Sequence, residues 1–272
     1  MLVDRAAIEK LVQAACLTAK DRVLEIGGGS GELTEEIVAR AGYVFAVEKD
    51  PAYASELRKR FASSKKIKVV EGDILNIALP KFDKIVSNPP YGILQPFFMR
   101  LLHERKHEFS SCTIIVPYGF SSLTTANPGS KGFGVMSAFF YAFYDVGAVS
   151  NVNKAAFSPE PRVKSIIIRI SPKKEETKLS AILRLMFLNE GKKIRNSIAD
   201  VLWNNGGGLV GRPIAKKESR MIVIGMQARH NMESILEKHM LQLSNEEMSV
   251  LSASLLSLLK NLPTLQNPLQ LF

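Results

Sequence analysis

The 272-residue sequence predicts an α/β fold, in which a doubly wound, mostly parallel, Rossmann-like sheet with an antiparallel closing pair precedes a small all-α C-terminal domain. Strand-like apolar runs alternate with helical patterns over about the first hundred residues, as in a parallel sheet. Glycine and polar clusters follow those runs, at the strand ends where such sheets bind ligands. Beyond residue 171 only helical periodicity continues. These observations predict one domain over residues 1–171 and a helical domain over 172–272.

The first domain is expected to begin with a helix. Asp4 is placed to cap it, and apolar residues recur at helical spacing as far as about Cys16. A second helix follows the glycine cluster, a third starts at Asp50-Pro51, and a fourth covers about Gln95 to Lys106. The predicted strands are 23–26, 43–47, 67–70, 84–86, 113–116, 139–149 and 163–170, of which the last two form the antiparallel pair.

The second domain follows a linker over residues 171–176. Ile194, Ile198 and Leu202 form an apolar face at helical spacing. The glycine-rich stretch from Asn204 to Gly208 predicts a loop, and 248–259 a final helix.

The composition limits the classes of function. The 46% hydrophobic and 23% charged residues are typical of a soluble globular protein. The net charge of +10 favours contact with a polyanion, although a basic surface can also serve solubility alone. Cys16 and Cys112 fall in apolar patterns that suit small buried side chains, and they indicate neither a structural disulfide nor a metal site. With no signal-peptide pattern at the start, we expect a cytoplasmic protein without a membrane segment.

A glycine-rich loop predicts a cofactor site. Glu25-x-Gly27-x-Gly29-x-Gly31 follows a strand and opens a helix, so its backbone N–H groups can approach a ligand closely. The pattern is also compatible with a dinucleotide. However, Glu32 stands where the dinucleotide motif has its third glycine, and a carboxylate there suits a ligand with a sulfonium and an ammonium better than a pyrophosphate.

Acidic residues after the next two strands support the same ligand. Glu48 lies about 20 residues beyond the loop, where an acidic side chain accepts from ribose hydroxyls. Asp73 could accept from an adenine amino group while Ile74 packs on the ring. Each acid could instead be a helix cap or a turn residue. Together with the loop they favour S-adenosylmethionine over a nicotinamide cofactor.

Asn88-Pro89-Pro90-Tyr91 predicts the acceptor site. An aromatic exocyclic amine is a poor nucleophile, and a site can activate it by accepting both N–H hydrogens, through the Asn88 side chain and the Pro89 carbonyl. Tyr91 can stack on the target ring. An ordinary Asn-Pro turn is the structural alternative. The motif is typical of methyltransferases that act on adenine, cytosine or the amide of glutamine.

These residues resemble the ribosomal RNA adenine N6,N6-dimethyltransferase family, a class I methyltransferase family, over most of the chain. Beyond the motifs above, Ala156 to Ser165 is similar to the family's F-x-P-x-P-x-V-x-S segment, and Gly191 to Asn196 to its basic helix start. The matching segments are 23–34, 48–50, 72–75, 88–91, 128–137, 156–165 and 191–196.

The resemblance implies transfer of methyl groups to two adjacent adenines near the 3′ end of small-subunit rRNA, and a helical domain that helps to grip the RNA. It also implies cofactor contacts from Lys49, Asn88 and Leu2, the last being what remains of a family Q-x-F-L element. Two departures are Pro89, where the family has Leu or Ile, and the stretch Pro117-Tyr118-Gly119, where it has Q-K-E.

Basic residues of the second domain predict contact with RNA phosphates, although a solvated face is the alternative. Phe157 is a candidate for sandwiching a flipped base, or else a core residue. The predicted RNA-binding residues are Lys192, Lys193, Arg195, Lys216, Lys217 and Arg220.

The expected protein is therefore a monomeric S-adenosylmethionine-dependent rRNA dimethyltransferase that acts on small-subunit rRNA within an assembling 30S-like particle. Two alternatives remain. One is an N6-adenine DNA or N5-glutamine methyltransferase. The other is a ribosome-assembly factor with little catalytic role.

Overall fold

The computed structural model describes residues 1–104, 109–227 and 232–261. The chain divides into two compact units. One contains Met1–Ser122 and Asp145–Pro172, and the other contains Leu123–Tyr144 and the chain from Lys173 onward. The domain boundary at residues 171/172 stays a prediction. The division into units falls one residue later, and it also groups 123–144 with the C-terminal helices.

A seven-stranded mixed sheet organises the first unit. Its strands are β1 (Arg22–Ile26), β2 (Tyr43–Glu48), β3 (Ile67–Glu71), β4 (Lys84–Ser87), β5 (Ser111–Pro117), β6 (Tyr144–Val152) and β7 (Ser165–Pro172). They lie in the order β3-β2-β1-β4-β5-β7-β6. The first five of that order pair in parallel, and β7 pairs with β5 in the antiparallel direction. The predicted α/β class is confirmed, and the parallel carboxyl ends gather at one edge of the sheet.

Helices α1 to α5 accompany these strands: α1 (Arg5–Ala15), α2 (Glu32–Arg40), α3 (Pro51–Arg60), α4 (Leu94–His103) and α5 (Tyr118–Thr124). The predicted caps are confirmed, because Asp4 accepts from the Ala7 N–H at 2.7 Å and Asp50 from the Ala52 N–H at 2.8 Å. The fourth predicted helix was extended to Lys106, which lies outside the described residues.

The second unit is helical. Its helices are α6 (Val135–Phe143), α7 (Lys178–Leu188), α8 (Ile194–Val210), α9 (Lys216–Gln227), α10 (Met232–Glu237) and α11 (Asn245–Asn261). Phe139 packs edge-on against Phe187 and also contacts Phe143, so that α6 and α7 share an aromatic core. Across the described ranges, no helix combines the length and apolarity needed to cross a bilayer.

The strand predicted over 139–149 is wrong in its first half. Residues Val135–Phe143 form α6, and β6 begins only at Tyr144. Phe139 and Phe140 are consecutive and both fully buried. A run that is apolar on every side has neither a period of 2 nor one of 3.6, so the pattern could not separate strand from helix.

The loop predicted at Asn204–Gly208 is also wrong, since α8 continues to Val210. Gly206 lies close to the following segment: a Cβ atom there would stand 2.9 Å from Ile214 Cγ1. The helix therefore tolerates the glycine because packing uses its small size. The end of α8 is at Gly211, with φ of 83°.

Cys16 differs from its predicted burial. Cys112 is buried, but Cys16 is exposed. Cys16 occupies the left-handed C-cap position at which α1 ends, so it does not continue the buried face of the helix.

Candidate active site

Most of the predicted catalytic and cofactor-binding residues meet in one cleft of ≈ 410 Å³ at the carboxyl ends of β1, β2 and β4. The glycine loop, Glu48 and the 88–91 segment all line it, as do two N-terminal residues and the start of the 157–161 segment. The lining residues are Met1, Leu2, Gly27, Gly28, Gly29, Ser30, Glu32, Leu33, Glu48, Asp50, Tyr53, Asn88, Pro89, Pro90, Tyr91, Phe157, Pro159 and Pro161.

The glycine loop turns sharply between β1 and α2. Gly27 and Gly29 have φ of 76° and 53°, in the left-handed region that favours glycine. Gly27 also faces the opposite wall, because a Cβ atom there would lie 3.5 Å from Pro90 Cδ. The loop thus presents bare backbone to the cleft, although its Gly27 N–H already donates to the Val47 carbonyl at 2.8 Å and its Gly29 N–H to Glu48.

Glu48 ties two loops together at the end of β2. Its Oε2 accepts from the Gly29 N–H at 2.9 Å, and its Oε1 accepts from the Asp50 N–H at 2.9 Å. The side chain is buried yet lines the cleft. A carboxylate has about four acceptor positions, so two remain for hydroxyl groups of a ligand.

Glu25 lies beneath the glycine loop and is absent from the cleft lining. It is fully buried in β1, a central strand with covered faces, and neither carboxylate oxygen has a hydrogen-bond partner among the described residues. Burial raises the pKa of Glu25 to about 8. The neighbouring Thr34 hydroxyl, outside hydrogen-bonding geometry, offsets that rise in pKa only in part, and the charge of Glu48 adds to it.

Lys49, Asp73 and Ile74 also lie outside the cleft lining. Asp73 accepts from the Leu75 N–H at 2.9 Å and from the Lys49 ammonium at 2.9 Å. These two bonds hold the pKa of the Asp73 carboxyl below its usual range. Gly72 N–H donates to the Glu48 carbonyl at 2.8 Å, so this turn is adjacent to the end of β2. The predicted adenine contacts are therefore near the cleft, with Asp73 engaged by Lys49.

The 88–91 segment leaves β4 at Ser87, whose buried hydroxyl donates to the Ile26 carbonyl at 2.7 Å. This bond fixes the start of the segment to the end of β1. The two prolines restrict the backbone and donate no hydrogen bonds. The Pro90 carbonyl accepts from the Ile93 N–H at 3.1 Å, whereas the Pro89 carbonyl has no partner among the described residues. Asn88 and Pro89 therefore present acceptor groups to the same cleft as the glycine loop.

Tyr91 has a partner that the sequence did not reveal. Its hydroxyl lies 2.6 Å from Ser165 Oγ, at the start of β7. Ser165 is buried, and burial also raises the pKa of Tyr91, an effect that the bond to Ser165 partly reverses. The bond anchors the Tyr91 ring at its hydroxyl end, which leaves the ring along the cleft wall.

Leu2 and Phe157 pair across the base of the cleft in an isolated antiparallel bridge. The Val3 N–H donates to the Ala156 carbonyl at 2.8 Å, and the Ser158 N–H donates to the Met1 carbonyl at 2.8 Å. Phe157 is 7% exposed and packs in the same apolar cluster as Leu2. The reading of Phe157 as a core residue is confirmed, and because the residue also lines the cleft, its role in sandwiching a base stays a prediction.

Sequence reasoning missed Met1, Tyr53 and Ser165. Met1 and Tyr53 line the cleft. Neither residue belongs to a motif, so no local signal could have identified them. Ser165 was part of the quoted 156–165 segment, but its contact with Tyr91 spans 74 residues of chain.

The predicted RNA-binding residues divide into two sets in the second unit. Lys192 pairs with Asp200 at 2.6 Å, and Glu237 accepts from both Lys193 and Arg195. Lys216 instead lies over the Trp203 ring at 4.6 Å from the centroid. Lys217 and Arg220 are exposed and have no ion pair within the part of the chain that the structure describes.

Residues 1–209 match the model of a family described as ribosomal RNA adenine dimethylase. The chain is 34% identical over 203 residues to a probable ribosomal RNA small subunit methyltransferase A of Methanococcoides burtonii, covering 72% of this chain and 74% of that relative. It is 35% identical over 207 residues to the ribosomal RNA small subunit methyltransferase A of Prosthecochloris aestuarii, covering 72% of this chain and 78% of that relative.

Two crystal structures share the fold. A dimethyladenosine transferase from Plasmodium falciparum superposes with a TM-score of 0.62 at 24% identity, over 96% of this chain and 98% of that chain. The 23S rRNA methyltransferase ErmE superposes with a TM-score of 0.60 at 22% identity, over 96% of this chain and 99% of that chain.

Proposed function

The chain belongs to the ribosomal RNA adenine dimethylase family, and on that premise we propose that it transfers methyl groups from S-adenosylmethionine to N6 of two adjacent adenines near the 3′ end of small-subunit rRNA during ribosome biogenesis. One observation carries the proposal: the Asn88–Tyr91 segment and the glycine loop form facing walls of one cleft. The adenine that accepts the methyl group and the cofactor that donates it could therefore meet in this cleft.

The residues present fit the proposed cofactor. Gly27 and Gly29 leave room for close contact with backbone, and Glu48 has acceptor capacity left for ribose hydroxyls. The Glu25 carboxyl beneath the loop has no partner among the described residues, and because its pKa is raised to about 8 it is mostly neutral at pH 7 and adds no fixed charge to the site. When bound, S-adenosylmethionine supplies an electrophilic methyl group on a sulfonium. Leu2 would close the cleft from the N-terminal side.

The chain itself prepares the acceptor amine. The Asn88 side-chain oxygen and the Pro89 carbonyl would accept the two N6 hydrogens, which favours a pyramidal nitrogen with its lone pair free to react. No strong base is required, because the nitrogen loses its proton readily once it is alkylated. Pro89 supplies a backbone carbonyl as Leu or Ile would, so its role survives the departure from the family pattern.

Two aromatic rings would hold the adenine. Tyr91 is fixed by Ser165, and Phe157 lies on the wall next to Leu2. A base that has left its stack gains about 1–3 kcal/mol from stacking on an aromatic ring. Lys192, Lys193, Arg195, Lys216, Lys217 and Arg220 would contact phosphates of the RNA.

Methyl transfer to 30S-like particles that lack the modification tests the proposal. We expect the wild type to methylate the particles, and Asn88→Ala to lose at least about 100-fold in rate, because an acceptor that acts only in the transition state is removed. Asn204→Ala changes an exposed asparagine of α8 and serves as the matched control.

Several outcomes would contradict the proposal. Unmethylated particles with the wild type, or equal rates with Asn88→Ala, would rule out the mechanism. Parallel assays with duplex DNA and with protein should show no transfer, and transfer to either would support the corresponding alternative. If Glu48→Ala abolished cofactor binding but left particle maturation intact, an assembly role would outweigh catalysis.

A further inference from the structure

A groove of ≈ 670 Å³ runs between α8 and α9 of the second unit. Asn196 and Asp200, one helical turn apart, line it from α8. Lys216, Arg220 and Ile224, also one turn apart, line it from α9. Each of these two helices thus contributes one continuous face, and Leu236 and Glu237 of α10 also line the groove.

The positive charge in this groove is uneven. Near the start of α8, Lys192 is paired with Asp200, while Lys193 and Arg195 share Glu237. A cation that already holds a carboxylate has to exchange that partner before it binds a phosphate. Along α9 the situation differs, because Arg220 in the groove and Lys217 outside its lining are both exposed and without an acidic partner among the residues described. The charge available to a polyanion is thus concentrated on the first turns of α9.

Trp203 adds an aromatic surface beside those cations. It lies three residues after Asp200 on α8 and remains 43% exposed, while the Lys216 ammonium lies 4.6 Å from its ring centroid. Ile224, which lines the groove from α9, is 64% exposed. Trp203 itself is not a groove-lining residue, but it contacts Lys216, which lies one helical turn before the unpaired Arg220. An exposed indole beside such cations combines a stacking platform with phosphate contacts, which is how proteins hold single-stranded nucleic acid.

We infer that Trp203 and the α9 cations form a binding site for an unpaired nucleotide of RNA. The base stacks on the indole, and the flanking phosphates are held by Lys216, Lys217 and Arg220. This inference rests on the proposed function, because the choice of RNA as the bound polymer comes from it. An acidic peptide could satisfy the same cations, but it has no planar base to place on the indole.

Trp203 is the single tryptophan of the chain, so its fluorescence reports on this site alone. The full-length protein is titrated, without cofactor, with the single-stranded hexanucleotide A6, with tripolyphosphate and with a hexaglutamate peptide. We expect saturable quenching by A6 that weakens as salt is raised. Tripolyphosphate and hexaglutamate should compete for the cations without that quenching, because neither can stack.

Variants separate this site from general electrostatic attraction. Arg220→Glu should weaken binding of A6 by about 10-fold or more, whereas Lys260→Glu makes the same charge change on the exposed end of α11 and should have a much smaller effect. Trp203→Leu should weaken binding of fluorescein-labelled A6, followed by anisotropy, by roughly 5- to 100-fold. Melting temperatures of the three variants verify folding.

The inference is overturned if A6 binds without changing Trp203 fluorescence, or if Lys260→Glu weakens binding as much as Arg220→Glu does. It is also overturned if hexaglutamate quenches the fluorescence and displaces A6, which would identify an acidic peptide as the occupant. The result is independent of catalysis, because Asn88→Ala should retain the full quenching. Intact quenching by a wild type that transfers no methyl group would thus count against the proposed function alone.

Discussion

At the scale of single residues, the bond between Tyr91 and Ser165 links two segments that lie far apart in the sequence. The first is the end of β4, where the proposed acceptor clamp lies, and the second is the start of β7. On the proposed function, Ser165 would therefore be a positioning residue, which acts on the adenine only through the Tyr91 ring.

Ser165→Ala should reduce kcat by roughly 2- to 10-fold, the cost of one hydrogen bond of about 0.5–1.5 kcal/mol. In a Tyr91→Phe background the same substitution should have no further effect, since the bond is already absent. Steady-state kcat values for methylation by the wild type, the two single variants and the double variant test this expectation. Ser171→Ala, on the same strand, is the control, and additive losses from the two substitutions would exclude the positioning role.

Glu25 presents a buried carboxyl with no partner among the described residues. Its pKa is raised to about 8 in the folded protein, from 4.5 as the unperturbed value. Between these two pH values the unfolded chain has released the proton while the folded chain still binds it. The free energy of unfolding therefore falls as pH rises through this window.

Glu25→Gln replaces the titratable carboxyl by an amide. As pH rises from 5 to 8, the free energy of unfolding of the variant should therefore increase relative to that of the wild type. We expect a relative gain of roughly 3 kcal/mol, because each unit of pKa shift corresponds to about 1.4 kcal/mol. Urea unfolding at pH 5, 6.5 and 8 measures it. Exposed Glu56→Gln is the matched control, and a difference between Glu25→Gln and wild type that does not vary with pH would contradict the assignment.

Glu25 and Ser165 show how much of the site could be predicted from the sequence. Glu25 was selected because it precedes the glycine loop, but its position in a strand covered on both faces places it under the loop instead. Ser165 was quoted without a role because its partner is 74 residues away. Motif spacing identifies residue types at the end of a strand, whereas side-chain direction depends on what packs around the strand.

At the scale of elements, α8 contains Gly206, Gly207 and Gly208 in its interior, and their surroundings differ. A Cβ atom at Gly206 would lie 3.0 Å from the Arg212 carbonyl oxygen and from the Ile214 backbone nitrogen. At Gly207 and Gly208 it would meet nothing within 4 Å. Only the first glycine is required by packing.

Gly206→Ala should therefore lower the free energy of unfolding by about 1–3 kcal/mol, because backbone atoms have to move. Gly207→Ala and Gly208→Ala should each raise it by roughly 0.5–1 kcal/mol, since alanine is the better helix former. Urea denaturation of the three variants compares them under one condition. A stabilising Gly206→Ala would show that the close contact is not present in solution.

Element boundaries were predicted best where chemistry marks them. Asp4 and Asp50 cap helices whose starts are confirmed. The errors at 135–143 and 204–208 have the opposite cause, because a wholly apolar run has no period and consecutive glycines imitate a loop. In both places tertiary packing decides the conformation, and packing partners are not local in sequence.

At the scale of the whole molecule, the topology of the sheet explains why the cleft could be anticipated. Parallel strands bring their carboxyl ends to one edge, so that Gly27, Glu48 and Asn88 had to meet there. The pairing of the basic residues could not be anticipated in this way. Glu237 lies 42 residues from Arg195, and only the packing of α10 beside α8 brings the two together.

The clamp that Glu48 makes with the Gly29 and Asp50 N–H groups has a kinetic consequence. An acceptor already held by two backbone donors loses little conformational freedom when a ligand arrives, because its ordering took place during folding. Capture of the proposed cofactor should then require no reorientation of Glu48, so this side chain adds no slow step to an encounter limited by diffusion and orientation. The residence time, rather than the rate of arrival, would set the affinity.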